Sequence, residues 1–334
     1  MANTKRDPGY TVALYDLNGT NYDLTPAILS LSLRETNGQI AQAATLKVVN
    51  RKVNGTLLTS IINVRCRIGI YANDGERHEE VFRGWVWDFS YRSSKEKEIT
   101  ITCYDDLIYF QKSEENTYFS AGQSTKSICE TLCGNWGVKL DYQYESITHG
   151  KLPLRGALSD LFLSDILDPV RKQTGKKFVL RMAKDTVQIL PVGSNDVVYD
   201  ILAAHNALDT KSNITMDDVV TKVVILGKED KEGRSKVEAT VEGDTKRYGT
   251  LQKIETKDED TTLADAKKEA QETIKEKGRP KSSYEVRAVD IPWIRKGDKV
   301  KVQAGNLWRQ YIVTSVSRDI GKEKIMTLEL EDVA

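Results

Sequence analysis

The sequence predicts a mainly β protein with an α+β insertion, and three observations carry that reading. Apolar and polar residues alternate with period 2 through the first third of the chain and again near its end. Near Asp105 the period becomes helical and holds, with one hairpin, to about Val192. The stretches 65–103 and 297–330 also read as two copies of one three-strand meander. In the first, Cys66, Ile68 and Ile70 alternate with Arg65, Arg67 and Gly69, Asn73-Asp74-Gly75 turns the chain, and 82–89 and 99–103 follow. In the second, Val300 and Val302 alternate with Lys299 and Lys301, Ala304-Gly305-Asn306 turns it, and 311–316 and 325–330 follow. Alternation places the aliphatic residues on core faces and Arg65, Arg67, Lys299 and Lys301 on the opposite, wet or partner-facing side. Three-strand meanders are common, so pattern alone leaves duplication and coincidence both open.

The elements follow in order. Asn18-Gly19 joins strands at 10–17 and 21–24, because both positions tolerate positive φ. Strands at 28–35 and 44–49 flank Thr36-Asn37-Gly38, and with the first meander make about seven short strands, a set that closes into a barrel or sandwich. A short turn is expected over 105–112. Ser124 then caps a helix whose Ile128, Leu132 and Trp136 recur every four residues up to Gly137. A second helical pattern covers 158–174 and stops at Gly175, with Pro169 implying a kink or a restart capped by Asp168. Residues 178–182 and 186–190 form a hairpin. Strands at 219–226 and 237–241 flank the charged turn 228–236. Thr261 or Thr262 caps a helix with the narrow stripe Leu263, Ala266, Ala270 and Ile274, stopped by Gly278 and Pro280, and a strand at 284–289 leads into the second meander.

Composition excludes several classes. The 334 residues suit two or three domains. With 49 basic and 49 acidic residues the net charge is zero, which argues against nucleic-acid recognition. No apolar run of about 18 residues exists, and residues 1–10 lack an apolar h-region, so neither stable membrane insertion nor a signal peptide is expected and synthesis in a cytoplasm is. Four cysteines read as small buried hydrophobes: Cys66 and Cys103 on apolar strand faces, Cys129 and Cys133 one helical turn apart. The isolated His78, His149 and His205 offer no metal-ligand spacing, and no metal or cofactor is expected.

Catalytic constellations are missing too. There is no Gly-x-Ser-x-Gly elbow, Walker loop, dinucleotide fingerprint or His-Glu-x-x-His. Asp105-Asp106 is the most suggestive acidic pair, yet adjacent residues point apart, and such a pair more often caps the following turn. Lys257-Asp258-Glu259-Asp260 lacks the spacing and central glycine of a calcium loop and fits a solvated helix start. Trp85 and Trp87 share one strand face and read as core or interface anchors rather than stacking platforms.

Phe82-Arg83-Gly84-Trp85-Val86, followed by Ile99-Thr100-Ile101-Thr102-Cys103-Tyr104-Asp105-Asp106-Leu107 and Lys112-Ser113, resembles the baseplate hub proteins of contractile phage tails. The resemblance is to the XkdQ/YqbQ-type, late control D-like family of Bacillus and Clostridium prophages and of phage-tail-like bacteriocins. Ile294-Arg295-Lys296-Gly297-Asp298-Lys299-Val300, Tyr311-Ile312-Val313, Met326-Thr327-Leu328 and Tyr248-Gly249 with the helix after it are similar to the C-terminal part of the same family. Nearly the whole chain is covered, and no matching motif marks a catalytic site. The resemblance implies two tube-protein-like antiparallel β-barrels (1–110 and 197–334, the latter with a helix at about 262–277) around a small α+β middle domain (111–196). It further implies a non-enzymatic homotrimer that joins the hexameric tail tube to the trimeric central spike, with baseplate wedge and tape-measure proteins nearby, in a virion tail or tail-like particle. Arg65, Arg67, Lys299 and Lys301 then become candidates for the lumen or for inter-subunit ion pairs. The competing reading is a cell-wall-degrading or wall-binding tail component, since the middle block has the size of a wall-binding module.

Overall fold

The computed structural model describes residues 7–92, 97–229, 232–257 and 261–333. The acidic Asp258-Glu259-Asp260, Asp230 and Lys231 of the charged turn, and the basic start of the chain lie outside the described residues. The chain divides into two compact units, Met1–Lys211 with Glu285–Ala334, and Ser212–Tyr284.

In the first unit both meanders form as the alternation requires. Arg67–Asn73 pairs antiparallel with the 15-residue strand His78–Arg92, which pairs with Glu98–Tyr104. Lys299–Ala304 pairs likewise with the 14-residue Leu307–Ile320, which pairs with Lys324–Asp332. Their inward residues are fully buried, among them Ile68, Ile70, Ile101, Val300, Val302 and Leu328. Each such side chain removed from water stabilises the fold by roughly 1.5–3 kcal/mol before entropy is counted.

The two strand sets are not separately closed. Among the described residues they make one 13-stranded sheet whose ladder does not close on itself. The join is the long strand Leu307–Ile320: its first half pairs with Lys299–Ala304, and Val316 to Ile320 pair with Glu35 to Leu31 of the strand Ile28–Glu35. A bulge at Thr314 separates the halves and lets two different strands use one edge. From there the sheet runs through Ala43–Val49, Glu98–Tyr104, His78–Arg92, Arg67–Asn73 and Gly9–Tyr15 to Asn21–Asp23. In the other direction it runs through Lys324–Asp332 and Lys281–Val289 to Ala207–Thr215. Tyr199–Leu202 adds a parallel strand to Lys299–Ala304.

The α+β insertion packs into this unit. Ser124 Oγ accepts from Ser127 N at 3.2 Å and starts the helix Thr125–Asn135, and Gly137 leaves it with φ +66°. The 158–174 pattern is one continuous helical path. A wider, π-type stretch, Leu161–Leu167, precedes Asp168–Thr174, and Pro169 sits in the first turn, where its missing N–H costs nothing. Phe178–Ala183 and Thr186–Pro191 form the expected hairpin, joined by the parallel strand Lys139–Tyr142. Phe110, Ile128, Leu132, Phe162, Ile166 and Ile189 share one core with Ile40 and Leu107.

The second unit has its own three-stranded sheet, with Lys222–Glu229 between antiparallel Ser235–Glu242 and parallel Gln252–Thr256. Thr262 Oγ1 accepts from Asp265 N at 3.1 Å and caps the helix Leu263–Lys277. Ala266 and Ala270 of its stripe pack on Val223 and Ile225.

Candidate assembly surface

The two meanders share one register from the entering turn to the bulge on the long strand, although the first carries a further bulge at Val81 that the second lacks. Arg67 pairs with Trp85 where Lys299 pairs with Ile312, and Val86 faces Cys103 where Val313 faces Leu330. One residue further on, each long strand carries an extra residue, Trp87 or Thr314. The turn entering each first strand is also the same. Arg65 N donates to Val86 O and Gly297 N to Val313 O, both at 2.8 Å. Val86 N returns a bond to Cys66 O and Val313 N to Asp298 O, again both at 2.8 Å. Asn63 N donates to Cys66 Sγ at 3.3 Å, as Arg295 N donates to Asp298 Oδ2 at 2.9 Å. Positions 63–67 and 295–299 are therefore one local structure built from different side chains.

That register sorts the four basic residues singled out by sequence. Arg67 and Lys299 are equivalent; Arg65 corresponds to Gly297, and Lys301 to Gly69. Arg65 precedes its strand, in the left-handed region with φ +65°. The Arg65 and Arg67 guanidiniums lie 5.2 and 5.0 Å from the centre of the Trp85 ring, whose Nε1 donates to Asp106 Oδ1. Lys299 is half-buried, and its N–H donates to Asn195 Oδ1 at 2.6 Å; Lys301 is half-buried one pleat along. Trp87, at the bulge, is 38% exposed and packs edge-on against Tyr104 and Tyr109. Neither tryptophan is a core residue.

A cluster of buried charges lies at the join of strand sets and insertion. Arg295 Nε reaches Glu35 Oε1 at 2.5 Å and its Nη2 donates to Met182 O. Arg181 of the inserted hairpin binds Asp298 Oδ1 at 2.8 Å and Lys296 O at 2.9 Å. Burial alone raises the Glu35 carboxyl, but the Arg295 guanidinium, with Arg181 and Arg318, holds it below the usual range. Deeper still, Arg318 spans Asp290 Oδ1 at 3.0 Å and the carbonyls of Ile291, Pro292 and Ile294, while Tyr10 donates to the other Asp290 oxygen. Sequence reading passed over these residues, although a signal existed. Glu35 continues the inward series Leu31, Leu33, and Arg318 stands between Val316 and Ile320, so period 2 assigned both to the core face.

The chemistry-bearing candidates have structural roles. Asp105 is buried; its Oδ1 accepts from Leu107 N at 3.1 Å and its Oδ2 from Gln42 N at 3.0 Å, so it caps the short helix and ties down the 36–42 turn. All four cysteines are free thiols and buried. Among the described residues no three or more His, Cys, Asp or Glu side chains are grouped to hold a metal, and no helix is long and apolar enough to cross a membrane.

A mainly β chain with a matched pair of meanders and a buried polar network at their join has the fold of a phage tail protein. It aligns with the 43 kDa tail protein of prophage MuSo2 from Shewanella oneidensis over 96% of this chain and 98% of that chain, with a TM-score of 0.70 at 16% identity. It also aligns with an E. coli type VI secretion component, described as structurally similar to the T4 tail proteins gp27 and gp5, over 92% of this chain and 74% of that one (TM-score 0.58, 11% identity). The YQBQ-like family model matches residues 37–331, and the chain belongs to that family of phage tail and baseplate proteins. Phage-like element PBSX protein XkdQ of Bacillus subtilis (strain 168) is 24% identical over 262 residues, 75% of this chain and 78% of that protein.

Proposed function

We propose that the protein is a non-catalytic baseplate hub of a contractile phage tail or tail-like particle, a homotrimer whose two strand sets present six near-equivalent surfaces to a hexameric tube. It is made in the cytoplasm, and the spike binds the opposite end. The observation that carries this reading is an asymmetry in the matched sets. In the second set, Val316 to Ile320 of the long strand have their free edge taken by Ile28–Glu35 of the first. In the first set the equivalent stretch, Phe89 to Arg92, is bonded among the described residues on one side only, to Ile101 through Glu98. Ala207–Thr215 is the outermost strand of the second set. A half-paired strand in the first set and an outermost strand in the second, both offering backbone edge, favour heterologous pairing between copies, which closes a ring. Three chains then supply six sets. Arg67 and Lys299, at one register position, are assigned to matching inter-subunit or lumenal places, with Arg65 and Lys301 beside them.

Light scattering on the protein, alone and mixed with its spike, tests the stoichiometry. A mass of three 37.6 kDa chains, alone or added to that of the bound spike, supports the trimer, and a dimer or hexamer in both samples contradicts it. Release of fragments from peptidoglycan would instead favour a wall-degrading component.

A further inference from the structure

The structure also holds the two equivalent turns in different states. In the second set the turn 295–299 is covered by the chain's own insertion. Val179 of Phe178–Ala183 lies on Gly297 so closely that a Cβ there would stand 2.6 Å from its Cγ1. Arg181 clasps Lys296 O and Asp298, Gly193 N donates to Gly297 O at 2.8 Å, and Ile312 is buried beneath. In the first set, among the described residues, the corresponding turn is exposed over Asn63, Val64 and Arg65. Val64 is 48% exposed and neighbouring Leu17 63%, and with Asp16, Asn63, Arg65, Arg67 and Trp85 they line a shallow hollow of about 450 Å³.

The open copy differs from the covered one in charge. Where the covered turn has Gly297, the open one has Arg65, whose guanidinium joins that of Arg67 over Trp85. Neither arginine is paired with a carboxylate among the described residues, and Arg67 Nε is buried with no hydrogen-bond partner. Two local carboxylates are already engaged: Asp16 Oδ1 by the N–H groups of Asn18 and Thr20, and Asp106 Oδ1 by the Trp85 indole. A buried donor without a partner is costly, and a guanidinium pair on an aromatic ring suits a carboxylate.

We propose that the Asn63–Arg67 turn with Leu17 and Trp85 is a docking site for an extended segment of a partner protein in which a Glu or Asp alternates with aliphatic residues. The aliphatic side chain takes the place that Val179 takes on the covered copy, and the carboxylate meets Arg65 and Arg67. The inference rests on the assembly reading only in that it needs a partner chain; it does not depend on the trimer.

The test titrates the full-length protein with a synthetic ten-residue peptide alternating Glu and Val, beside Gln–Val and Lys–Val controls, and reads the indole N–H resonance of Trp85, assigned with Trp85→Phe. Saturable shifts with the Glu–Val peptide alone are expected, weakened at least tenfold in Arg65→Gly/Arg67→Ser and unchanged in Lys151→Ser, an exposed position away from the turn. Arg65→Gly places at a positive-φ site the residue that the other copy uses there, so the variant keeps its fold. Equal response to the Lys–Val peptide, no response to Glu–Val, or undiminished binding by the double variant overturns the proposal. So does a change in the oligomeric mass of that variant with no peptide bound, which makes a second copy of the chain the occupant. A trimer that fails to bind the peptide sinks this inference and leaves the hub reading standing.

Discussion

Arg65 and Gly297 hold the same backbone position in the two strand sets: each has positive φ, +65° and +88°, and each donates its N–H at 2.8 Å to the carbonyl of the residue before a bulge on a long strand. What differs is their cover: Arg65 is exposed among the described residues, whereas Val179 lies on Gly297. The repeat thus keeps a backbone device while varying the surface it presents.

That difference predicts opposite effects on stability. Arg65→Gly relieves a left-handed non-glycine residue and raises stability by up to about 1 kcal/mol. Gly297→Ala adds backbone strain and a collision with Val179, and lowers it by about 2–4 kcal/mol. Urea unfolding of both variants checks the pair of signs.

Arg318 is 2% exposed and satisfies Asp290 and three carbonyls. Arg318→Met strands a buried carboxylate and costs about 3–5 kcal/mol. Adding Asp290→Leu removes the stranded charge, so the double variant recovers part of the loss in thermal unfolding.

Glu35 and Arg295 set an acid limit. Because the folded carboxyl is held below its ordinary value, its contribution is present above about 4.5 and is lost as pH falls through the folded value. Glu35→Gln is less stable at neutral pH, and its stability falls less steeply on acidification. Stability measured from pH 7 to 3 in both proteins shows whether the slopes differ.

Asp105 acts in the opposite sense. Burial pushes its carboxyl up to about 7, so its contribution is full below the unfolded value of 3.8 and is lost as pH rises through about 7. Buried His149, 2.9 Å from the Thr125 hydroxyl, is pushed down by burial, so it favours folding above 6.5 and loses that contribution as pH falls. The two slopes overlap, and only differences from Asp105→Asn and His149→Gln separate them. The first variant is expected to remove a decline in stability from pH 4 to 7, and the second to remove a loss of stability as pH falls below 6.5.

Much of this was legible in the amino-acid sequence because period 2 and the caps are local. Ser124 and Thr262 cap where the pattern placed them, and both meanders form. The join between strand sets was hidden. Pairing of Val316 with Glu35 links positions 281 residues apart, and nothing in either segment encodes its partner. The matching of basic residues was half visible. Spacing suggested two pairs, whereas the register aligns only Arg67 with Lys299, because the turns before the strands hold a positive-φ residue that composition does not reveal.

The central claim is that three chains with two matched strand sets meet six tube subunits. Native mass spectrometry of the protein bound to a ring of its tail tube protein tests it most directly. Three chains per six-subunit ring is the expected count; six chains, or one, would contradict the account.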